Sequence, residues 1–258
     1  MTTKPIPTPD LPLKGRGEIT FYEVVNDMVL KVVMVSVIGG FLCLDRTCLQ
    51  ILLSRPVVIA PLTGFLLGDV LTGLSIGAFL ELLWIDKPQI GISVPPNDSL
   101  LAVMIVSSLL LANSQYEQTR REVITFAFLL FIPLGYITQR MDAALIQSNE
   151  RLSEKALQAA KAADPRGITR QHIYAIVKTF AAYCIFLFFS IVAGVMIIEA
   201  VFPLLPVFVL KAMGLMYLII PAVLIAVCLN TVKIRSTVPV FCALFLATMI
   251  IIELIHAF

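Results

Sequence analysis

Long apolar runs constrain the fold of this chain more than any other feature of its sequence. A helix needs about 20 apolar residues to cross the hydrocarbon core of a membrane, and the runs that meet or approach this length are 28–44, 123–137, 179–198, 212–229 and 237–255. Only 14% of the residues are charged, whereas a soluble domain is about a quarter charged. The sequence therefore predicts an all-α, polytopic integral membrane protein embedded in the lipid bilayer.

Changes in composition divide the chain into four regions. Residues 1–27 form a polar N-terminal tail and an interfacial segment, and residues 28–138 form a membrane region. Residues 139–170 form a hydrophilic helical arm, and residues 171–258 hold the C-terminal membrane helices. Because the tail has no apolar core beside a small-residue cleavage site, we expect no cleaved secretory signal.

Segment 56–113 of the membrane region is interrupted by proline and glycine at short intervals. Neither of its first two apolar pieces, 57–67 and 70–85, is long enough to cross a membrane alone. Short hydrophobic segments interrupted by Gly or Pro are typical of the broken helices of transporters. We therefore predict broken or re-entrant helices here, followed by an apolar helix at 99–112.

The hydrophilic arm is predicted to be an amphipathic helix on the cytoplasmic side. Leu145, Leu152 and Ala159 recur every seven residues and give it an apolar face. Seven basic residues lie between positions 140 and 178, and the positive-inside rule places such a segment in the cytoplasm. We expect the helix to end at the turn sequence 164–167.

Asp69, Gly73, Gly77 and Glu81 follow one another at intervals of four residues and so share one face of a helix. Twelve residues at about 1.5 Å each separate the two carboxylates by about 18 Å, too far for a catalytic dyad. The glycines, with Gly68 before them, allow a helix or a ligand to approach the backbone closely. Asp69 either caps the second half-helix or contacts a ligand, whereas a carboxylate deep in an apolar helix, such as Glu81, indicates a functional site.

Trp84, Asn97 and Asp98 follow this stripe, and each has a structural and a functional interpretation. Asp98 either caps the next helix or, with Asn97, presents a carboxylate and an amide that bind sugar hydroxyls. Trp84 either stacks against a sugar ring or belongs to an interfacial aromatic belt. The sequence leaves both alternatives open.

Several functional classes find no support in the sequence. A net charge of +2 gives no basic field for nucleic acid. Cys43 and Cys48 have no second Cys pair or His nearby to complete a metal site, and we interpret His172 and His256 as surface residues. Because phosphate loops, zinc-protease motifs and serine elbows are also absent, we expect no cofactor, no metal ion and no catalytic residue.

The ordered motifs between residues 36 and 111 resemble a known permease family. They are Asp45–Arg46–Thr47, Ser54–Arg55–Pro56–Val57, APLTG at 60–64, LGD at 67–69, TGL at 72–74, IG at 76–77, LEL at 80–82 and GISVPP at 91–96. In this order they resemble the IIC component of the mannose/fructose/sorbose-type permeases of the phosphoenolpyruvate-dependent sugar phosphotransferase system. The resemblance implies a permease subunit of the bacterial inner membrane rather than an enzyme.

The resemblance also implies partners and site residues. A second membrane subunit, IID, would complete the permease in an oligomer of such heteromers, and soluble IIA and IIB proteins would phosphorylate the incoming hexose-type sugar. The implied substrate contacts are Asp69, Glu81, Asn97 and Asp98. The chain departs from the family where Asn97 follows Pro96 and where Asp86–Lys87 replaces a common Gly, and both departures fall where the sugar would bind.

Two other functions are compatible with the same residues. An ion-coupled secondary transporter would use Asp69 and Glu81 as proton or sodium sites. An uncoupler would abolish its uptake, and phosphoenolpyruvate would have no effect on it. A regulatory scaffold derived from a permease would instead dock a soluble partner on the arm and give no sugar flux.

Overall fold

The regular structure of the chain is helical throughout the residues described. The computed structural model describes residues 21–85, 94–112 and 121–231, together with residue 239. Its helices are α1 (Phe21–Cys43), α2 (Pro56–Leu67), α3 (Val70–Leu83), α4 (Asp98–Ala112), α5 (Arg121–Phe131), α6 (Leu134–Lys161), α7 (Pro165–Val201) and α8 (Val207–Thr231). Short 3-10 turns follow α1 and α7, at Leu44–Arg46 and Phe202–Leu204. The predicted all-α fold is confirmed.

Within the described residues, three stretches are long and apolar enough to cross a membrane: Asn26–Arg46, Pro165–Leu204 and Val207–Leu229. Helices α5 and α6, bent by 41° at Pro133, form a fourth span if the pair is taken as one. Only 6% of the apolar window in α8 is buried inside the protein. Such an exposed apolar helix needs lipid or another apolar surface around it, as expected for a multi-pass membrane protein.

Helices α2 and α3 form an antiparallel hairpin, which confirms the predicted broken segment. Gly68 ends α2 with φ of 95°, a conformation that glycine adopts without strain. A Cβ atom added to Gly73 would collide with the carbonyl oxygen of Ala60, and one added to Gly77 would collide with that of Pro56. The stripe glycines therefore bring the two helix backbones into direct contact.

Helix α4 lies at the centre of the molecule. Every residue from Ser99 to Leu109 is buried, and the helix packs against α1, α2, α3, α5, α6 and α7. Its 15 residues span only about 22 Å, less than the roughly 30 Å of a hydrocarbon core. A short helix of this kind is stable in a membrane because protein surrounds it.

The arm is a helical hairpin made by α6 and the first turns of α7. Both helices continue into the rest of the fold, because α6 begins at Leu134 and α7 runs to Val201. The turn expected to end the arm at 164–167 instead starts α7, since Asp164 Oδ1 accepts a hydrogen bond from the backbone N–H of Arg166 and Pro165 occupies the first helical turn. The arm helix itself ends earlier, at Lys161. The predicted division at 138/139 and 170/171 thus falls inside helices.

Candidate functional site

Glu81 forms an ion pair with Arg55 at one end of the helical hairpin. Because α2 and α3 are antiparallel, the start of α2 lies beside the end of α3, and Arg55 directly precedes α2. Arg55 Nη1 donates to Glu81 Oε1 at 2.9 Å. The second carboxylate oxygen, Oε2, is buried and has no hydrogen-bond partner in the described part of the protein.

A second ion pair joins Arg46 to Asp98. The distance from Nη1 to Oδ1 is 2.8 Å, and the two side chains are only 12% and 23% exposed. Arg46 Nη2 also lies 3.5 Å from the carbonyl oxygen of Pro96. Arg46 therefore connects the 3-10 turn after α1 to the turn that precedes α4.

The loop between α1 and α2 holds both arginines in place. The buried carboxylate of Asp45 accepts hydrogen bonds from the backbone N–H of Ile51 and from both the backbone N–H and the hydroxyl of Ser54. Ser99 Oγ donates to the carbonyl oxygen of Ser54 at 2.5 Å. These contacts fix the loop against α4, so that its two ends present Arg46 and Arg55 to the two acids.

Asn97 belongs to a buried network at the base of the arm. It is fully buried, and its Nδ2 donates to Asp142 Oδ2 at 2.9 Å. Tyr183 donates its hydroxyl proton to the other oxygen of the same carboxylate, at 3.1 Å. The network connects the turn before α4 to α6 and to α7, and both Asp142 oxygens accept from uncharged donors.

The cap of α4 is Asn97 rather than the Asp98 of the first alternative above. Asn97 Oδ1 accepts from the backbone N–H of Leu100 at 3.1 Å, the bond that defines a helix cap, and its own backbone N–H donates to Thr138 Oγ1. Asp98 is the first residue of the helix and carries the ion pair with Arg46. The cap of α4 therefore lies one residue earlier in the sequence than that alternative placed it.

Asp69 has the capping geometry predicted for it. Its Oδ1 accepts from the backbone N–H of Thr72 at 3.0 Å, and its Oδ2 accepts from the Thr72 hydroxyl at 2.6 Å. It lies at the turn of the hairpin, at the opposite end of α3 from Glu81. The structure does not bring these two carboxylates together.

Trp84 lies directly after α3, near Gly135 at the start of α6. A Cβ atom added to Gly135 would lie 3.6 Å from Trp84 Cζ2 and 3.4 Å from Pro96 Cβ. The indole is partly buried against the hydrophobic core. Trp84 and Pro96 thus both lie beside Gly135 at the start of α6.

Four residues of this region received no role from the sequence: Arg46, Arg55, Asp142 and Tyr183. The arginines were detectable, because they are the only basic residues between Lys31 and Lys87 and flank a segment that holds isolated acids. Asp142 and Tyr183 gave no such signal, because one lies in a polar helix and the other in an apolar run.

A polar cavity of about 310 Å³ opens between the base of the arm and the turn before α4. Its lining residues are Arg46, Thr47, Val94, Pro95, Asp142, Leu145, Ile146, Asn149, Thr179 and Tyr183. This volume is at the lower end of the range of about 300–1,000 Å³ occupied by small-molecule sites. Uncharged hydroxyl groups suit such a lining, because amide and hydroxyl groups both donate to and accept from them and a carboxylate accepts from them.

Some predictions concern positions outside the described residues. They are the tail up to residue 20, the departure at Asp86–Lys87, the apolar run 237–255, and His256. Within the described ranges, no group of three or more His, Cys, Asp or Glu side chains is placed to hold a metal ion.

The family model for the PTS system sorbose-specific IIC component matches residues 29–257 of the chain. "Putative N-acetylgalactosamine permease IIC component 2" of Escherichia coli (strain K12) is 44% identical over 45 residues, which is 17% of this chain and 34% of that relative. The aligned stretch thus spans about a third of the curated relative.

Two solved structures share the fold. One, described as the structure of a membrane protein, is 21% identical, has a TM-score of 0.64, and aligns over 89% of this chain and 93% of its own. The other is the mannose transporter ManYZ in complex with microcin E492 (MceA), at 20% identity and a TM-score of 0.55 over 87% of this chain and 86% of that one. At these identities the likeness concerns the fold alone. Because the family model covers most of the sequence and the helices are those of a multi-pass membrane protein, the chain belongs to the sorbose-specific IIC family of membrane permease subunits of the phosphotransferase system.

Proposed function

We propose that this chain is the sugar-translocating subunit of a phosphotransferase-system permease and moves a hexose-type sugar inward. The single observation that carries the proposal is the buried, unpartnered Oε2 of Glu81. A buried acceptor without a hydrogen bond costs about 1–3 kcal/mol, and more when it is charged. A sugar hydroxyl that donates to this oxygen would remove the penalty through a charge-assisted bond.

The surroundings of Glu81 support a role in binding rather than in packing alone. Arg55 occupies only one of the two oxygens of the Glu81 carboxylate. The Arg55 side chain is 53% exposed, so a ligand can approach the pair from its open side. The single tryptophan of the chain, Trp84, lies one turn further on and provides an apolar ring face of the kind that sugars stack on.

The proposal includes partner proteins. A IID membrane subunit would cover apolar surface such as that of α8, which the chain itself leaves almost bare. Soluble IIA and IIB proteins would approach from the cytoplasmic arm. The phosphoryl group would pass from a histidine nitrogen of the partner to a sugar hydroxyl oxygen, which gives up its proton. We also propose that the heteromer assembles into a larger oligomer, since the membrane helices expose extensive apolar surface.

The test is uptake of radiolabelled sugars into vesicles that hold the chain with its IID partner, with and without phosphoenolpyruvate and the soluble phosphotransfer proteins. Sorbose, mannose and N-acetylgalactosamine form the panel, because these sugars are named for the family and the relatives. We expect one of them to accumulate only as its phosphate.

Replacing Glu81 by Gln removes the charge and keeps the size of the side chain. Since a hydrogen bond to a charged group contributes about 1.5–3 kcal/mol, we expect uptake at low sugar concentration to fall about tenfold to a hundredfold. Glu150→Gln, on the exposed side of the arm, is the matched control and keeps full uptake. Free sugar inside the vesicles regardless of phosphoenolpyruvate, or full uptake by Glu81→Gln, would refute the proposal.

A further inference from the structure

The cavity at the base of the arm has the construction of a small-molecule site. Its walls combine apolar side chains from 94–95 and α6 with a few polar groups that converge from different elements. Arg46 comes from the end of α1, Asp142 and Asn149 from α6, and Thr179 and Tyr183 from α7. Polar groups that converge on one cleft fix the orientation of a small molecule bound there.

One of these polar groups lacks a partner. Asn149 Oδ1 is buried and accepts no hydrogen bond from the described residues, whereas buried polar atoms nearly always have a partner. Asn149 follows Asp142 by seven residues, which is two helical turns, so the two side chains lie on the same face of α6. A hydroxyl-bearing molecule in the cavity would supply the donor that this oxygen accepts.

The charges around the cavity discriminate against anions. Arg46 is its cationic lining residue, and it is already paired with Asp98 at 2.8 Å. Asp142 contributes a carboxyl group to the same wall. The Arg46 guanidinium thus faces the carboxyl groups of both Asp98 and Asp142. A phosphate in the cavity would be repelled by Asp142 and would compete with Asp98 for Arg46.

We propose that this cavity is a second sugar subsite, which opens to the cytoplasm and binds the unphosphorylated sugar in preference to its phosphate. The inference rests on the proposed function and extends it. The arm, which the positive-inside rule assigns to the cytoplasm, forms one wall of the cavity. Pro95 lines the cavity, and Pro96 after it lies beside Gly135, as Trp84 does. A sugar leaving Glu81 is held here until a soluble partner phosphorylates it, and the charged product is then rejected.

A cysteine reporter in the cavity wall tests the proposal without using transport. Ile146 lines the cavity and is 53% exposed, so the Ile146→Cys variant accepts a membrane-impermeant thiol reagent in inside-out vesicles that hold the chain with its IID partner. The matched control is Ala144→Cys, an exposed position about 200° away around the same helix. Labelling is followed by mass spectrometry on the peptide that carries the new cysteine, which separates it from the native thiols.

We expect the transported sugar, without phosphoenolpyruvate, to slow labelling of Ile146→Cys and to leave Ala144→Cys unchanged. A sugar at about ten times its Kd leaves roughly one site in eleven empty, so the expected slowing is about tenfold. The corresponding sugar phosphate should protect far less. Adding Asn149→Ala to the reporter should remove the protection while the labelling rate without sugar stays the same, which shows that the wall is still folded.

The outcomes separate this inference from the proposed function. Uptake without protection at Ile146→Cys would overturn the subsite alone. Protection by one sugar of the panel without phosphoenolpyruvate-dependent uptake would overturn the proposed function and keep the subsite. Equal protection by the sugar and by its phosphate would overturn the proposed selectivity. Protection that persists in the Asn149→Ala variant would overturn the proposed role of Asn149.

Discussion

Glu81 and Asp142 are two shielded acids with opposite surroundings. Glu81 forms an ion pair through one oxygen, and the other has no partner among the described residues. Asp142 accepts from two neutral donors, Asn97 and Tyr183, one on each oxygen. The comparison indicates that a carboxylate whose bonds are completed inside the protein serves the fold, whereas one with an unused oxygen is available to a ligand. Replacing Asp142 should therefore lower the stability of the protein, whereas replacing Glu81 should lower sugar uptake.

The largest effect on stability is expected for Asp142→Ala. This change leaves two buried donors, Asn97 Nδ2 and the Tyr183 hydroxyl, without their acceptor. Each unpaired donor costs about 1–3 kcal/mol, so the free energy of unfolding should fall by about 2–6 kcal/mol. Thermal unfolding of the purified chain in detergent measures this, with the exposed Glu154→Ala as control. An unchanged melting temperature would show that the network does not stabilise the fold.

A smaller loss is expected for Tyr183→Phe. The ring stays buried, and only the hydroxyl that donates to Asp142 is removed. We expect about 1–2 kcal/mol of destabilisation. Tyr174→Phe, on an exposed face of the same helix, should unfold at the temperature of the parent chain. Equal behaviour of the two variants would mean that the Asp142 contact contributes nothing.

The smallest effect on stability is expected for Glu81→Gln, the variant with the largest expected effect on uptake. An ion pair with a half-exposed arginine contributes about 0–1 kcal/mol, and the unpartnered oxygen contributes no bond to lose. The melting temperature should therefore stay close to that of the parent. If Glu81→Gln unfolds as readily as Asp142→Ala, the contrast between the two acids is false.

The sequence predicted the features that depend on neighbouring residues. The helical hairpin followed from proline and glycine spacing, and the cap of α3 followed from Asp69. The end of the arm helix was expected at 164–167 and lies at Lys161, because Asp164–Pro165 begins the next helix. The cap of α4 was misplaced by one residue, since Asn97 and Asp98 are both good caps.

The contacts that define the site could not be predicted in this way. Arg46 meets Asp98 across 52 residues of sequence, and Asn97 meets Asp142 across 45. No periodicity or motif links positions so far apart in a single sequence, because their proximity results from the packing of whole helices. The resemblance supplied Glu81, Asn97 and Asp98 as candidates, but their different surroundings appear only in three dimensions.

The glycine contacts of the hairpin have a consequence for how this part of the molecule can move. Interlocked side chains can switch rotamers and let two helices slide, but backbones that touch at Gly73 and Gly77 have no layer of side chains between them to rearrange. It follows that α2 and α3 move together as one rigid unit. Any displacement of the pair must therefore be taken up where α2 and α3 pack against α4 and α8, and at the Ser54–Ser99 bond in the loop before α2.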